Sequence, residues 1–288
     1  MKACPRCSVE IFAPPWICPR CGWQAEAIAG FPALAPELAG SQQSYRPEFH
    51  RELASMEAGN FWFRARNRLI IDALRDHFSE MTSMLEIGCG TGFVLAAVRD
   101  TFPAVALTGT ELLGSGLAVA AARIPGAQWL QADARQLPFI EEFDCVGAFD
   151  VLEHIDDDGT VLRSLHRSLI PGGGIVVTVP QHPWLWSDRD TLARHVRRYT
   201  STQLKQRMEG AGFDVIAVRS FVSLLLPVVW LSRRLARRAD ANDALSELRM
   251  SRIVNGAFAT VMHVERAIGR MGAHFAFGSS LLAVGRKQ

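Results

Sequence analysis

Between residues 83 and 180, short apolar runs typical of β-strands alternate with amphipathic patterns typical of helices. The strand-like runs cover residues 84–87, 105–110, 128–132, 144–149 and 175–179. The helix-like runs cover residues 93–99, 116–122 and 161–169. This alternation favours an α/β fold in which a parallel sheet carries helices on both faces. Ligands of such sheets bind at the carboxyl ends of the strands, so the residues that follow each strand are the candidate site residues.

A glycine-rich loop follows the first predicted strand, in the sequence Glu86-Ile87-Gly88-Cys89-Gly90-Thr91-Gly92. Glycines at alternate positions let the backbone turn sharply and approach a ligand closely. A diphosphate prefers bare N–H groups and is repelled by a carboxylate such as that of Glu86, whereas a sulfonium or ammonium group is attracted. The fingerprint of nicotinamide dehydrogenases, Gly-x-Gly-x-x-Gly, also differs from this spacing. The loop therefore predicts a nucleoside cofactor with a cationic end.

Acidic residues end three of the later predicted strands. Glu111 follows the second strand, where a carboxylate can accept both hydroxyls of a ribose. Asp133 follows the third strand and precedes Ala134. The Asp133 carboxylate is an acceptor beside the backbone N–H of Ala134, and this pair of groups suits an adenine edge. Asp150 follows Phe149 at the end of the fourth.

These motifs, in this order, resemble those of class I S-adenosylmethionine-dependent methyltransferases. The closest likeness is to the small-molecule branch that includes the quinone-biosynthesis enzymes, and it covers about residues 48–220 and, more weakly, the last strand. The resemblance implies a Rossmann-like, seven-stranded sheet. It implies cofactor contacts for Glu86, Gly88, Cys89, Gly90, Gly92, Glu111, Asp133, Ala134, Phe149 and Asp150. By this likeness the glycines pass under the methionine part and the ribose, Asp133 and Ala134 hold the adenine, and Asp150 lies near the sulfonium.

The segment 60–68 precedes the first strand, where similar enzymes have a helix that closes over the cofactor. Arg66 in this segment could pair with the cofactor's carboxylate, because a guanidinium suits that geometry. The alternative is a solvated amphipathic helix with Trp62 in the core.

Three histidines follow strand ends or the loop after the sheet, namely His154, His182 and His195. A hydroxyl acceptor needs a base when it attacks a methyl group. We expect His154 to be the base and take His195 as the second candidate. The competing interpretation of each is a structural hydrogen-bonding role.

Four of the six cysteines lie in two Cys-Pro-Arg-Cys turns, Cys4 with Cys7 and Cys18 with Cys21. Two such turns can complete a tetrahedron around structural Zn²⁺, so residues 1–24 are predicted to form a zinc ribbon. The ribbon could dock a partner, contact nucleic acid or pack on the rest of the chain. Residues 25–47 are predicted to be a linker and residues 48–288 a methyltransferase domain. Cys89 and Cys145 stand in apolar contexts typical of small core residues.

A helical insertion at about 221–278 separates the last two predicted strands, 212–218 and 279–286. It begins with an apolar run that contains Trp230, followed by Arg233, Arg234, Arg237 and Arg238. This pattern is typical of an interfacial membrane helix over residues 221–238, and the alternative is a lid helix packed on the sheet. The later helix, around 253–268, could form a pocket wall or a homodimer face.

The predicted function is methyl transfer to a small or lipid-linked acceptor, at oxygen. A net charge of +2 gives little attraction for nucleic acid, so an RNA base methyltransferase that uses the ribbon is the second interpretation. A non-enzymatic zinc-ribbon scaffold is the third, and the intact Glu86, Glu111 and Asp133 argue against it. With no signal peptide recognised and no apolar run near the ~20 residues of a membrane span, we expect a cytoplasmic protein, at the inner face of the membrane if the insertion binds lipid.

Overall fold

The computed structural model describes residues 1–11, 16–39, 48–235, 245 and 248–288. Its strands are β1 (Lys2–Ala3), β2 (Glu10–Ile11), β3 (Glu26–Ile28), β4 (Phe31–Ala33), β5 (Ser83–Ile87), β6 (Ala106–Glu111), β7 (Gln128–Gln131), β8 (Phe143–Phe149), β9 (Leu169–Pro180), β10 (Phe213–Phe221) and β11 (Ser280–Lys287). Its helices are α1 (Phe49–Glu57), α2 (Phe61–His77), α3 (Phe93–Thr101), α4 (Gly114–Arg123), α5 (Asp158–Ser168), α6 (Asp188–Leu192), α7 (Ser201–Gly210), α8 (Leu226–Leu235) and α9 (Arg252–Arg270).

Strands β5 to β11 form the predicted Rossmann-like sheet of seven strands, in the spatial order β10-β11-β9-β8-β5-β6-β7. The strands from β5 to β9 pair in parallel, and β11 is inserted antiparallel between β9 and β10. The predicted fold class is therefore confirmed. The carboxyl ends of β5, β6 and β8 lie side by side, so the residues that follow them meet at one edge.

The central strands bury side chains on both faces, as a parallel sheet covered by helices requires. In β5, Leu85 and Ile87 pack into one apolar cluster with Leu165 of α5 and Met208 of α7. Met84 points to the opposite face. There it packs in a second cluster with residues of α2, α3, α4 and α9. This double burial holds the glycine loop after Ile87 on a rigid support.

Part of the segment predicted as a linker belongs to the sheet. Strands β3 and β4 form a hairpin, and Ala33 of β4 pairs in parallel with Gln131 of β7. The Gln131 side chain also bonds the backbone N–H of Ala35 (3.1 Å) and its carbonyl (2.8 Å). The hairpin thus covers the otherwise unpaired edge of β7. Residues 40–47 of the predicted linker lie outside the described part of the chain.

The insertion between the last two strands contains α8 and α9, and Phe221 belongs to β10 rather than to the insertion. Helix α9 packs on α2, where the Arg266 guanidinium makes two hydrogen bonds to Asp72 (2.6 and 2.7 Å). No helix within the described residues has the length and apolarity to cross a bilayer. Arg237 and Arg238 lie outside the described residues, and the homodimer face stays a prediction.

Candidate cofactor and acceptor site

The loop after β5 is a tight turn in which Gly88, Gly90 and Gly92 all have positive φ, between 51° and 72°. Other residues adopt this conformation only with strain. A methyl group added to Gly88 would lie 2.6 Å from the Val151 side chain, whereas one added to Gly90 would meet no atom within 4 Å. Gly88 is therefore needed for packing, and Gly90 borders open space on the side where a Cβ would lie.

The Glu111 carboxylate is fixed beside this loop. It accepts hydrogen bonds from the backbone N–H of Gly90 (3.0 Å) and of Leu113 (3.0 Å). Both bonds orient the oxygens at the end of β6, where the predicted ribose would lie.

Helix α1 packs beside the same loop, a feature that sequence reasoning missed. Glu57 at its end accepts a hydrogen bond from the Thr91 hydroxyl (2.6 Å) and forms an ion pair with Arg123 (2.9 Å). At its other end His50 bonds the Ser115 hydroxyl (3.0 Å). No local pattern distinguishes α1 from an ordinary surface helix, because its partners are 34 or more positions away.

Glu86 is a buried carboxyl with an unused oxygen. The residue is 3% exposed, and its Oε2 has no hydrogen-bond partner among the described residues. Burial raises the pKa of Glu86 to about 8, although the charge of Arg66 lowers it. An open acceptor atom in this position suits a cationic or N–H-bearing ligand, as the sequence predicts for the amino-acid end of the cofactor.

The predicted adenine residues begin a short 3₁₀ helix, Ala134–Gln136. The Asp133 carboxylate caps it by accepting a hydrogen bond from the Arg135 N–H (2.9 Å), and it also pairs with the Arg135 guanidinium (2.7 Å). Asp133 therefore has a protein partner in this structure, and its contact with adenine stays a prediction.

Asp150 and Arg66 form an ion pair at the end of β8. Asp150 has a positive φ of 58°, rare for a residue other than glycine, and also accepts a hydrogen bond from the Thr178 hydroxyl (3.3 Å). The Arg66 guanidinium lies over the Trp62 ring at 4.7 Å. Arg66 thus reaches the expected end of the site but bonds Asp150; its pairing with a cofactor carboxylate stays a prediction. Phe149 is buried in the core beside it.

The structure brings His154 and His195 together. Their ring centroids are 4.8 Å apart and nearly perpendicular. Burial lowers the pKa of His154, although part of this residue faces solvent. The neighbouring His195 ring lowers this pKa further. A neutral imidazole at neutral pH can accept a proton. His182, the third histidine, stacks on Trp184 at 5.0 Å instead.

Asp190 positions His195 and was missed in the sequence. Its Oδ1 lies 3.0 Å from His195 Nδ1, and the carboxylate also binds Arg198 (2.7 Å) and Arg233 (2.7 Å). Burial alone would raise the pKa of Asp190, but the His195 bond and the two guanidinium charges lower it well below its usual range. The one sequence pattern that marks Asp190 is the capping box that it forms with Ser187 at the start of α6.

Glu153 completes this cluster and was also missed as a functional residue. It is 1% exposed, and its Oε2 has no hydrogen-bond partner among the described residues. Burial first, and the Asp150 charge second, raises the pKa of Glu153 well above its usual range. We call Glu153, His154 and His195 the acceptor-side cluster.

The four N-terminal cysteines are also close together. The Sγ atoms of Cys4 and Cys21 are 3.7 Å apart, and those of Cys7 and Cys18 are 3.5 Å apart. Tetrahedral zinc with Zn–S bonds of about 2.3 Å separates its sulfurs by about 3.8 Å, so this set fits the ion. Cys89 and Cys145 are buried, as predicted for core residues.

Residues 54–218, more than half of the chain, match a family model described as a methyltransferase domain. The chain belongs to this family. The predicted resemblance to class I S-adenosylmethionine-dependent methyltransferases is therefore confirmed.

Two relatives and one solved structure illustrate the family. A protein from Mycolicibacterium smegmatis, designated a probable S-adenosylmethionine-dependent methyltransferase, is 29% identical over 57% of this chain and 64% of its own length. A trans-aconitate 2-methyltransferase from Azoarcus is 28% identical over 54% of this chain and 74% of its own. The structure of a Haemonchus contortus phosphoethanolamine N-methyltransferase with S-adenosyl-L-methionine is 18% identical, with a TM-score of 0.57 over 86% of this chain and 59% of that one. It supports the fold alone.

We expect the affinity for S-adenosylmethionine to rise with pH between about pH 6 and about pH 9, because the ionised form of Glu86 attracts a cation. The pKa of Glu86 is raised to about 8, so below that value binding must release its proton. The loss reaches at most about tenfold per pH unit. Calorimetry in two buffers of different ionisation enthalpy measures both the affinity and the proton released. A Glu86→Gln variant should lose this pH dependence; an identical pH profile in wild type and variant contradicts the assignment.

Proposed function

We propose that this chain transfers a methyl group from S-adenosylmethionine to a small or lipid-linked acceptor, at an oxygen atom. The observation that carries the proposal is the continuity of the site. The glycine loop with Glu86 and Glu111 leads through the Arg66–Asp150 pair to the acceptor-side cluster. The name of the trans-aconitate relative supports a small-molecule acceptor.

The residues on the cofactor side bind and orient the donor. S-adenosylmethionine supplies an activated methyl group on a sulfonium sulfur. Glu111 binds the ribose hydroxyls, and Glu86 binds the amino-acid end through the oxygen that has no partner among the described residues. The open side of Gly90 lets the ligand approach the backbone of the loop. Because the donor is already activated, the protein contributes mainly position and exclusion of water.

The residues on the acceptor side handle a proton. His154 takes the proton of the acceptor hydroxyl as the oxygen attacks the methyl carbon. His195, held by Asp190, is its partner and the second candidate base. An imidazole base at His154 favours an oxygen acceptor because a hydroxyl must lose its proton during the reaction.

We expect His154→Ala to lower turnover by about 10²-fold or more, the usual contribution of a general base, while the affinity for S-adenosylmethionine changes little. Release of S-adenosylhomocysteine with a panel of hydroxylated acids and quinols measures turnover, and calorimetry measures cofactor binding. The matched control is His263→Ala, an exposed histidine on α9. Unchanged turnover in His154→Ala would remove His154 from the reaction.

We also propose that Cys4, Cys7, Cys18 and Cys21 bind structural Zn²⁺, with no open coordination position. The ribbon contacts the loop that follows Asp133 and Ala134, the residues predicted to hold the adenine. The Ala3 N–H donates to the Pro138 carbonyl (2.7 Å), and the Ile140 N–H donates to the Met1 carbonyl (2.8 Å). Zinc would therefore support the cofactor site as well as the ribbon itself.

We expect Cys18→Ser to lose one equivalent of zinc, to lower the unfolding temperature and to weaken cofactor binding several-fold. Elemental analysis, thermal unfolding and calorimetry measure these effects. Wild-type protein stripped by a chelator should behave like the variant and should recover when zinc is restored. A wild-type chain that binds no zinc, or a cofactor affinity that zinc removal leaves unchanged, rejects this coupling.

Finally, we propose peripheral membrane contact through α8. Leu224, Val228, Trp230 and Leu231 are each at least 40% exposed, and Arg234 lies over the Trp230 ring at 5.0 Å. An apolar face with a flanking cation suits a lipid interface. Arg233 has a different role from the one predicted, because it bonds Asp190 and the Leu185 carbonyl (2.7 Å) rather than facing solvent.

We expect the wild-type chain to co-sediment with vesicles that contain anionic lipid. A Trp230→Ala/Leu231→Glu double variant should stay in the supernatant. Point variants suit this test because deletion of residues 221–239 would remove the core side chains of Phe221, Val222 and Leu225. Ile216→Glu, on the edge strand β10, is the control for the loss of one exposed apolar side chain. Equal and negligible binding by all three proteins rejects membrane contact.

A further inference from the structure

The buried carboxylate of Glu153 lacks the cation that such a group normally has. The neighbouring guanidinium groups are engaged elsewhere, since Arg66 pairs with Asp150, and Arg198 pairs with Asp190. Glu153 Oε2 has no hydrogen-bond partner in the described part of the chain, although the residue is 1% exposed. A buried carboxyl group without a partner is costly to ionise, so a positively charged ligand at this point would stabilise its ionised form.

Two imidazoles share the same space. One ligand atom each from Glu153, His154 and His195 lie within 4.8 Å of one another. Ligands at about 2.0–2.2 Å from one ion are no more than about 4.4 Å apart, so small side-chain rotations bring all three into range. Asp190 holds Nδ1 of His195 at 3.0 Å, as outer carboxylates do for histidines that bind metals, so Nε2 is the nitrogen that would bind the ion.

We propose that Glu153, His154 and His195 bind a divalent transition-metal ion that holds the acceptor oxygen. Two imidazole nitrogens and one carboxylate oxygen favour iron, cobalt or zinc over magnesium or calcium. Three protein ligands leave coordination positions open for a substrate. Glu153 lies three residues after Asp150, so the ion would stand next to the end of the site assigned to the sulfonium.

This inference rests on the proposed methyl transfer and refines it. The bound hydroxyl loses its proton to solvent, because a metal ion lowers the pKa of an oxygen that binds it. The oxygen then forms a bond to the methyl carbon, and the carbon–sulfur bond breaks with its electron pair left on sulfur. His154 and His195 would act as ligands of the ion, in place of the base.

Titration of the zinc-loaded full chain with Mn²⁺, followed by electron paramagnetic resonance, tests the site. Mn²⁺ is the probe because it prefers nitrogen and oxygen ligands and does not compete for four thiolates. We expect one saturable site in the wild type and in His263→Gln, and binding at least about tenfold weaker in Glu153→Gln and His154→Gln. His154 is exposed, so we expect His154→Gln to keep the fold. Circular dichroism checks the fold of both cluster variants.

No saturable Mn²⁺ binding to the wild type, or equal binding by the wild type and both cluster variants, overturns the proposal. Cofactor binding and methyl transfer are measured in the same samples. Turnover that continues at full rate after chelation, with zinc retained by the ribbon, also overturns the metal site but leaves the methyltransferase intact. Failure to bind S-adenosylmethionine, with Mn²⁺ still bound, would count against the proposed function and not against the metal site.

Discussion

Parallel pairing of β5 with β6 and β8 gathers the carboxyl ends of these strands at one edge of the sheet. The residues that follow them carry carboxylates, and Glu86, Glu111 and Asp150 consequently share a small volume. Like charges in a buried space repel one another and resist desolvation. The site therefore gathers carboxyl groups whose ionised forms need partners, and its architecture follows from how each group is supplied with one.

The protein satisfies some of these groups and leaves others open. Backbone N–H groups hold Glu111, and Arg66 neutralises Asp150. Arg198 and Arg233 neutralise Asp190, which then stays ionised and orients His195. Glu86 and Glu153 keep an oxygen without a partner among the described residues. Glu86 directly precedes the glycine loop and Glu153 adjoins the two histidines, and the charge of Arg66 acts on both. Two different ligands would complete the charge balance.

Local patterns in the sequence account for the sheet, since apolar runs, glycines and acidic strand ends are all encoded within a few residues. The site's partners are not local. The sequence pattern puts Arg233 in a basic run that either flanks a membrane interface or lies on a lid helix with its arginines in solvent, yet Arg233 bonds Asp190 across 43 positions of the chain. Nothing in an arginine-rich run distinguishes the one member that turns inward. Strands β3 and β4 have three residues each, too few for a two-residue period to appear. They pair with each other, and β4 joins the sheet at the edge of β7, which is far away along the chain.

The ribbon and the cofactor cleft are in contact along the edge of the sheet formed by β7. Strand β4 pairs with β7, whose end leads directly into Asp133, and the N-terminal strand bonds the loop that follows Asp133 at Pro138. A module this small cannot bury enough apolar surface to hold its shape alone, and the Zn²⁺ proposed for its four cysteines would supply the missing stability. The cysteines Cys4 and Cys18 are themselves buried in the cluster that contains Phe139 and Leu137 of the same loop. If zinc binds there as proposed, its loss would loosen this loop before it disturbed the central strands, at the end of the cleft proposed to hold the adenine.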